Sequence, residues 1–342
     1  MIPALADLIY TSILFGSIIM FGALGEIITE KSGHLNLGIP GIIYLGGFGG
    51  WMGGFIFEKY IFTFSGAGPL LVLVSIIFAV IFAALGGLVY AFFTVTLKSN
   101  QNITGLALTY LSVGICSFGG QYLLKALGYS GYAKAVTTSN AFSWCFNIQF
   151  KMQGLDTGAA FFGKVFLGYG LMVFVALGIA ITMHFVLKKT NVGLSLRSVG
   201  ESPATADAQG INVNRYKYLA ITIGAAIAGL GGVTYVMNYS EGIWATANSI
   251  ESLGWLSVAL VIFATWRPVN AIWGSYLFAL LFWLYNYAHS LFGWTTNTAT
   301  TYALQMLPYL ISIVVLVIVS LRKKKELQPP ASLGLSYFRE DR

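Results

Sequence analysis

The chain has 342 residues, of which 57% are hydrophobic and 9% are charged, and its formal net charge is +7. Soluble domains carry roughly 25% charged residues, so this composition excludes a soluble protein and predicts an all-α protein that crosses a membrane many times. Much of the positive charge lies in one polar loop and in the run 322–325, as is typical of cytoplasmic segments of membrane proteins. A nucleic-acid partner is therefore not predicted.

The membrane spans are predicted from apolar stretches of about 20 residues, the length that a helix needs to cross a hydrocarbon core roughly 30 Å thick. About nine spans, within a range of eight to ten, are expected at 8–25, 38–57, 70–97, 103–124, 165–187, 218–240, 252–266, 268–290 and 303–321. The seventh is short and ends at Arg267 and Pro268, which makes it a candidate for a broken or partly re-entrant helix. Residues 1–321 are predicted to form one transmembrane domain, followed by a short solvated tail, 322–342.

The distribution of positive charge predicts the orientation. With nine spans, Lys98, Lys188 and Arg267 fall on the same side as the basic tail, and this side is expected to be cytoplasmic. The amino terminus is then outside. The connection 125–164 also lies outside although it carries four lysines and one aspartate, and longer loops follow the charge rule less strictly.

The segment 25–41 interrupts apolar sequence between the first two spans with glycines, a proline and several polar residues. Irregular backbone at membrane depth is tolerated only where it is buried in protein or lines a water-filled cavity. The segment is therefore either an ordinary cytoplasmic turn or the entry of a solute path. In the second interpretation, Glu26 and Asn36 border that path.

Two further polar segments, 99–105 and 238–254, are candidates for the solute path, and the second has carboxylates, amides and Trp244, which could hold a polar, ring-shaped solute. Asn100 or Asn102 also suits the N-cap of the fourth span, which is the favoured interpretation. Trp244 also suits anchoring at the membrane interface, which is the favoured role for any one aromatic in this segment. The candidate solute-path residues in these segments are Asn102, Thr104, Asn238, Trp244 and Glu251.

The polar loop 188–217 is sharply bounded by apolar spans and rich in Lys and Arg. Within it, Ser202 is a typical N-cap, Pro203 suits the first helical position and Gly210 suits the end of a short helix. A short helix held in the cytosol by a membrane protein indicates a docking site. The residues assigned to this helix and its ends are Glu201, Ser202, Pro203, Ala204, Thr205, Ala206, Asp207 and Gly210.

Several kinds of chemistry are not supported by any motif. The sequence contains no G-x-x-x-x-G-K-[ST] phosphate loop, no metal-ligand spacing among its three histidines and no catalytic cluster. No cofactor, metal or catalytic residue is predicted, and a membrane enzyme is disfavoured. An ion-coupled secondary carrier is also disfavoured, because the carboxylates cluster at span ends, although Glu26 and Glu251 keep that alternative open.

Two motifs carry a resemblance that runs through most of residues 10–322. They are the loop 190–211, TNVGLSLRSVGESPATADAQGI, and the segment 30–38, EKSGHLNLG, to which 103–108, ITGLAL, adds support. The chain resembles the permease subunits of bacterial ABC importers for simple sugars and nucleosides, in the branched-chain amino acid and ribose permease superfamily. It departs from the nucleoside branch at Pro40-Gly41, Thr109 and Trp255, near the expected solute path.

The resemblance implies a type II-like ABC importer fold in a bacterial cytoplasmic membrane, with the carboxyl terminus inside. It implies that the helix in 201–210 is a coupling helix that sits in a groove of a separate ATPase, which binds the ATP. The other implied partners are a second permease, either a similar chain or its own copy, and an extracytoplasmic solute-binding protein. A nucleoside is the first expected solute, and a simple sugar or a riboflavin-like compound is the alternative.

Overall fold

The fold is a bundle of helices. The computed structural model describes residues 2–62, 66–129, 133–144, 168–244, 248–293, 297–322 and 328–338. Among these residues no strand is formed, although an isolated antiparallel β-bridge pairs Lys134 with Ile243. The predicted all-α class is therefore confirmed. Most of the connection 125–164 and the beginning of the predicted span 165–187 lie outside the described residues.

The helices in chain order are α1 (Ile2–Lys31), α2 (Ile39–Tyr60), α3 (Gly68–Ala91), α4 (Gln101–Ala126), α5 (Val136–Trp144), α6 (Leu171–Lys189), α7 (Asn191–Glu201), α8 (Pro203–Ala208), α9 (Val213–Thr234), α10 (Asn248–Phe263), α11 (Pro268–Phe292), α12 (Thr298–Gln305) and α13 (Leu307–Arg322). Two of them, α3 and α9, end in π-helical turns, Phe92–Thr96 and Tyr235–Tyr239. Such turns are rare and are frequently found at functional sites.

Eight helical stretches in the described part of the chain are long and apolar enough to cross a membrane, the last of them formed by α12 and α13 together (Thr298–Ile318), and α10 adds a shorter apolar stretch, Ile250–Phe263. This agrees with the expected eight to ten spans. The last predicted span is split into α12 and α13, and the split falls where Pro308 cannot supply a backbone N–H for a continuous helix.

The short helix α10 runs beside α1. The Ser257 hydroxyl donates to the carbonyl oxygen of Ile19 at 3.1 Å, and Trp266, just beyond the helix end, donates its indole N–H to Glu30. Before α10, Trp244 packs its ring against Trp51 of α2. A helix of 16 residues spans only about 24 Å, so α10 alone does not complete a crossing. The expected short length of the seventh span agrees with this geometry, and its broken or partly re-entrant character stays a prediction.

The centre of the bundle consists of α1, α2 and α9. In the most apolar windows of these three helices, 78%, 83% and 72% of the residues are buried, against 11% for the window in α12 and α13. Glycines permit the close approach of α2 and α9: a Cβ on Gly232 would overlap the carbonyl oxygen of Ile43, and one on Gly46 would overlap Gly229. Small residues at helix contacts are a general feature of membrane bundles, in which dispersion contacts provide much of the stability.

The face opposite α7 and α8 carries α5, whose position is set by Glu58 of α2. The Glu58 carboxylate accepts hydrogen bonds from the backbone N–H groups of Thr137 and Thr138, both at 2.9 Å, and from the Thr138 hydroxyl at 2.8 Å. Nearby, Lys134 forms an exposed salt bridge of 2.6 Å with Glu241. Lys134 belongs to the connection 125–164, whose four lysines are unusual for a loop expected outside. Glu241 balances the charge of this one lysine.

The segment after α13 is largely exposed, as expected for a solvated tail, but it is also bound to the bundle. Residues 328–338 fold back against α7 and the segment between α1 and α2. The Ser332 side chain is 7% exposed, and its hydroxyl donates to the carbonyl oxygen of Gly200 at 2.6 Å. The sequence, with Pro329-Pro330, suggested only a short solvated extension, because the partners of its hydrogen bonds are far away in sequence.

Candidate functional site: the short helix α8 and the buried break between α1 and α2

The predicted short helix is present as α8. The Ser202 hydroxyl accepts a hydrogen bond from the backbone N–H of Thr205 at 3.4 Å, Pro203 occupies the first turn, and Gly210 follows with a φ of +82°. Serine, proline and glycine therefore take the capping, starting and terminating positions that their chemistry favours. One assignment was wrong in detail, because Glu201 is the last residue of α7.

The helix α8 has a buried side and an exposed side. Ala206 is 1% exposed and packs in a small apolar cluster with Val199 of α7 and Val213 of α9. Ala204 and Thr205 are exposed, as is Ala208. The exposed side is available for a partner, while the buried side fixes α8 to α7 and α9 as one unit.

A cavity of about 590 Å³ lies beside this unit, where α1, α6, α7 and α11 meet. Lys31, Lys188, Arg197 and Arg267 line it, with Glu201 as a carboxylate on the same wall. This clustering of cations at helix ends is typical of the cytoplasmic side of a membrane protein.

Between α1 and α2 the backbone is irregular, and side chains from α3 and α4 satisfy it. Leu35 donates its N–H to the side-chain oxygen of Gln101 at 2.9 Å and accepts from the Tyr90 hydroxyl at 2.6 Å. The carbonyl oxygen of Leu37 accepts from the Thr109 hydroxyl at 3.1 Å. Buried backbone groups need such partners when neither helix nor water provides them.

The break also binds the end of α1. The backbone N–H of Asn36 donates to Oε1 of Glu26 at 2.8 Å, and the Asn36 side-chain oxygen accepts from the N–H of Gly38 at 2.9 Å. Glu26 lies five residues, or about 7.5 Å, before the end of α1. The segment therefore folds back beside α1 and is a buried break in the bundle rather than an ordinary exposed turn.

Three polar atoms in this break have no hydrogen-bond partner within the described part of the chain: Oε2 of Glu26, Nδ1 of His34 and Nδ2 of Asn36. Their side chains are at most 1% exposed. Since buried polar groups normally have partners, the atoms mark a place where a water molecule or a solute group can bind. The structure thus brings together Glu26 and Asn36, two of the predicted solute-path residues.

The hydrogen bonds of Glu26 and Asn36 in the described part of the chain do not involve the other predicted solute-path residues. Asn102 is exposed on α4, where Asn100 is the N-cap that accepts from the N–H of Ile103, and the Thr104 hydroxyl donates to the backbone carbonyl of Asn100. This N-cap was one of the two expected from the sequence. The hydroxyl of Thr104 is therefore already bound to the backbone of its own helix, one turn earlier, and not to a residue of the break.

Trp244 is 4% exposed and belongs to an aromatic cluster with Tyr44, Phe48 and Trp51, so it is packed rather than open to a path. Asn238 lies in the π-helical turn, and its Oδ1 has no partner among the described residues. Glu251 is half-buried in the first turn of α10. Residues 245–247 of the same predicted segment lie outside the described residues.

A family model for the permease component of branched-chain amino acid transport systems matches residues 8–320. This covers nearly the whole membrane bundle, including α8 and the break between α1 and α2. The chain belongs to this permease family. The ABC-permease resemblance found in the loop 190–211 is thereby confirmed.

Relatives of this permease include proteins named for different solutes. A putative glucose ABC transporter permease of Haloferax volcanii is 31% identical over 277 residues, covering 81% of this chain and 76% of that protein. A nucleoside ABC transporter permease of Lactococcus lactis is 28% identical over 99% of this chain and 98% of its own length. A guanosine ABC transporter permease of Bacillus subtilis is 27% identical, with 92% of each chain covered. No solved structure matches the permease, so the type II-like fold stays a prediction.

Several contacts of the site were not predicted from the sequence, although Gln101 lies in the candidate segment 99–105 and Thr109 was noted near the expected solute path. Tyr90, Gln101 and Thr109 reach the break from α3 and α4, and Tyr337 reaches α8 from the carboxyl-terminal segment. A glutamine at the start of a span was a weak signal, because polar residues there are usually helix caps. Tyr90 lies in an apolar span, where tyrosine gives no indication of its partner.

Proposed function

We propose that the chain is the membrane-spanning subunit of an ABC importer and that it passes a nucleoside across the cytoplasmic membrane. The observation that carries this proposal is the full-length similarity to a permease named for nucleosides, combined with a capped α8 that has an exposed side. The amino terminus would be outside and the carboxyl terminus cytoplasmic, as the cations beside α7 favour.

A simple sugar is the second candidate solute. The putative glucose permease is 31% identical to the chain, a value slightly above that of the nucleoside permease, but over a smaller share of both proteins. A riboflavin-like solute stays an untested prediction. Because the permease family is established, an ion-coupled secondary carrier and a membrane enzyme are not proposed.

The chain would depend on other subunits for energy and for solute capture. Its sequence has no phosphate-loop motif, so ATP would bind to a separate ATPase docked on the exposed side of α8. A second permease, similar or identical, would complete the membrane part. An extracytoplasmic solute-binding protein would deliver the solute.

The packing of α8 suggests how the ATPase would move the spans. Ala206 fixes α8 to Val199 and Val213, so a displacement of α8 would carry α7 and α9 with it. Gly200 of α7 lies directly against the carbonyl oxygen of Lys31 at the end of α1. Since α1 and α9 are central helices, a rigid-body movement at α8 would reach the buried break and switch access to the solute path.

The test is uptake by the complete complex, purified through a tag on this chain and reconstituted in vesicles with ATP inside. We expect an ATPase to co-purify, and labelled nucleoside to enter only with ATP. A hundredfold excess of unlabelled glucose should leave that uptake unchanged, whereas an unlabelled nucleoside should abolish it. Competition by glucose alone would favour the sugar, and uptake by the isolated chain without ATP would contradict the ABC mechanism.

A further inference from the structure

The carboxyl-terminal strap, residues 328–338, contacts three parts of the site. Its Ser332 N–H donates to the carbonyl oxygen of Gly200 in α7 at 3.1 Å, and its Gly334 N–H donates to that of Gly33 in the break at 3.2 Å. The Tyr337 hydroxyl donates to Oδ2 of Asp207 in α8 at 3.0 Å. One short segment thus joins α7, the break and α8.

The packing of Tyr337 supports these hydrogen bonds. Its ring contacts the apolar cluster that holds Ala206 and Val213, and Nζ of the buried Lys217 lies 6.0 Å from the ring centre. The next residue, Phe338, has Nζ of Lys98 at 4.1 Å from its ring centre. Cation–π contacts of this kind are favourable within about 6 Å. The strap is therefore anchored by aromatic packing as well as by hydrogen bonds.

We propose that the strap is a mechanical link between α8 and the break, and that Tyr337 and Ser332 are positioning residues of the transport cycle. The proposal rests on the proposed function, because it assumes that an ATPase displaces α8. From Gly334 to Tyr337 the chain has three residue steps, which span at most about 11 Å when fully extended. If α8 moves farther than this extended length allows, the strap must pull on Gly33 and hence on the segment that binds Glu26.

The first test does not depend on transport. Hydrogen exchange of the amides in α8 is compared between the full chain and a variant that ends at residue 327. We expect exchange at Ala206 and Gln209 to accelerate at least tenfold without the strap, because Tyr337 no longer covers α8. The amides of α5, on the opposite face, provide the internal control. Equal exchange in α8 with and without the strap would overturn the proposal.

The second test measures solute moved per ATP hydrolysed by the reconstituted complex. Tyr337→Phe removes one hydroxyl and keeps the ring, and Tyr302→Phe, at a 63% exposed position in α12, is the matched control. We expect Tyr337→Phe to lower the ratio several-fold with unchanged recovery of the ATPase, and Tyr302→Phe to leave it unchanged. A normal ratio in Tyr337→Phe contradicts the link.

The two tests separate the proposal from the function on which it rests. If no ATPase is recovered with the wild-type chain, the proposed function fails, and the coupling role of the strap fails with it. If the ATPase is recovered and uptake is normal in the wild type, but neither variant changes α8 exchange or the transport ratio, only the link is wrong.

Discussion

The backbone N–H of Asn36 donates to the carboxylate of Glu26 at 2.8 Å, across ten residues of sequence. This bond holds the segment after α1 beside the same helix, just before α2 begins. The carboxylate substitutes for a backbone acceptor that an irregular segment lacks. A buried acidic residue at the end of a span can therefore have a structural role whether or not a solute contacts it.

Replacement of Glu26 tests that role. Glu26→Ala removes the acceptor and leaves the Asn36 N–H buried without a partner, so we expect a loss of about 1–3 kcal/mol in the free energy of unfolding. Glu26→Gln keeps an acceptor oxygen of the same size and should lose about 1 kcal/mol or less. Thermal unfolding in detergent measures both. Similar melting temperatures for Glu26→Ala and the wild type would contradict the structural role.

Close packing of α2 and α9 gives a second prediction. Gly232→Ala forces a Cβ into the carbonyl oxygen of Ile43, so we expect about 1–3 kcal/mol of destabilisation or failure to accumulate in the membrane. Gly114→Ala is the matched control, because a Cβ there meets nothing within 4 Å on the exposed side of α4. The control should be neutral or slightly stabilised. Equal yields and melting temperatures for both variants would show that α2 and α9 pack less closely.

The position of α5 gives a third prediction. Glu58→Ala removes three hydrogen bonds from the first turn of α5, and we expect a stability loss of about 2 kcal/mol with faster amide exchange across that helix. Glu241→Ala is the comparison, because it removes an exposed salt bridge with Lys134, and such pairs contribute little. If the Glu241 variant were the more destabilised, the assignment of Glu58 as the anchor of α5 would be wrong.

The two sides of α8 predict opposite outcomes for neighbouring alanines. Ala204→Asp places a charge on the exposed side, so we expect recovery of the partner ATPase to fall at least tenfold while thermal stability is unchanged. Ala206→Asp buries a charge beside Val199 and should instead destabilise the chain by several kcal/mol. Ala126→Asp, at an exposed position at the end of α4, is the control for added charge. Normal ATPase recovery by Ala204→Asp would exclude α8 as the docking site.

Local chemistry explains what could be predicted about α8. Its cap, its proline and its terminating glycine act within ten residues, so the sequence indicates them directly. The preceding helix α7 was not predicted, because its polar sequence resembles a loop. Its stability comes from buried positions such as Leu196 and Val199, whose neighbours are distant in sequence.

By itself, the sequence determined the all-α class and most span positions, because lipid requires helices whose apolar length matches the membrane. It left the segment 25–41 undecided between an exposed turn and a buried break. Only the tertiary structure decided that question, since the partners of Leu35 and Leu37 come from α3 and α4. The same holds for the strap: the contact of Tyr337 with Asp207 joins residues 130 positions apart, and side-chain packing at that separation leaves no periodic signal in the chain.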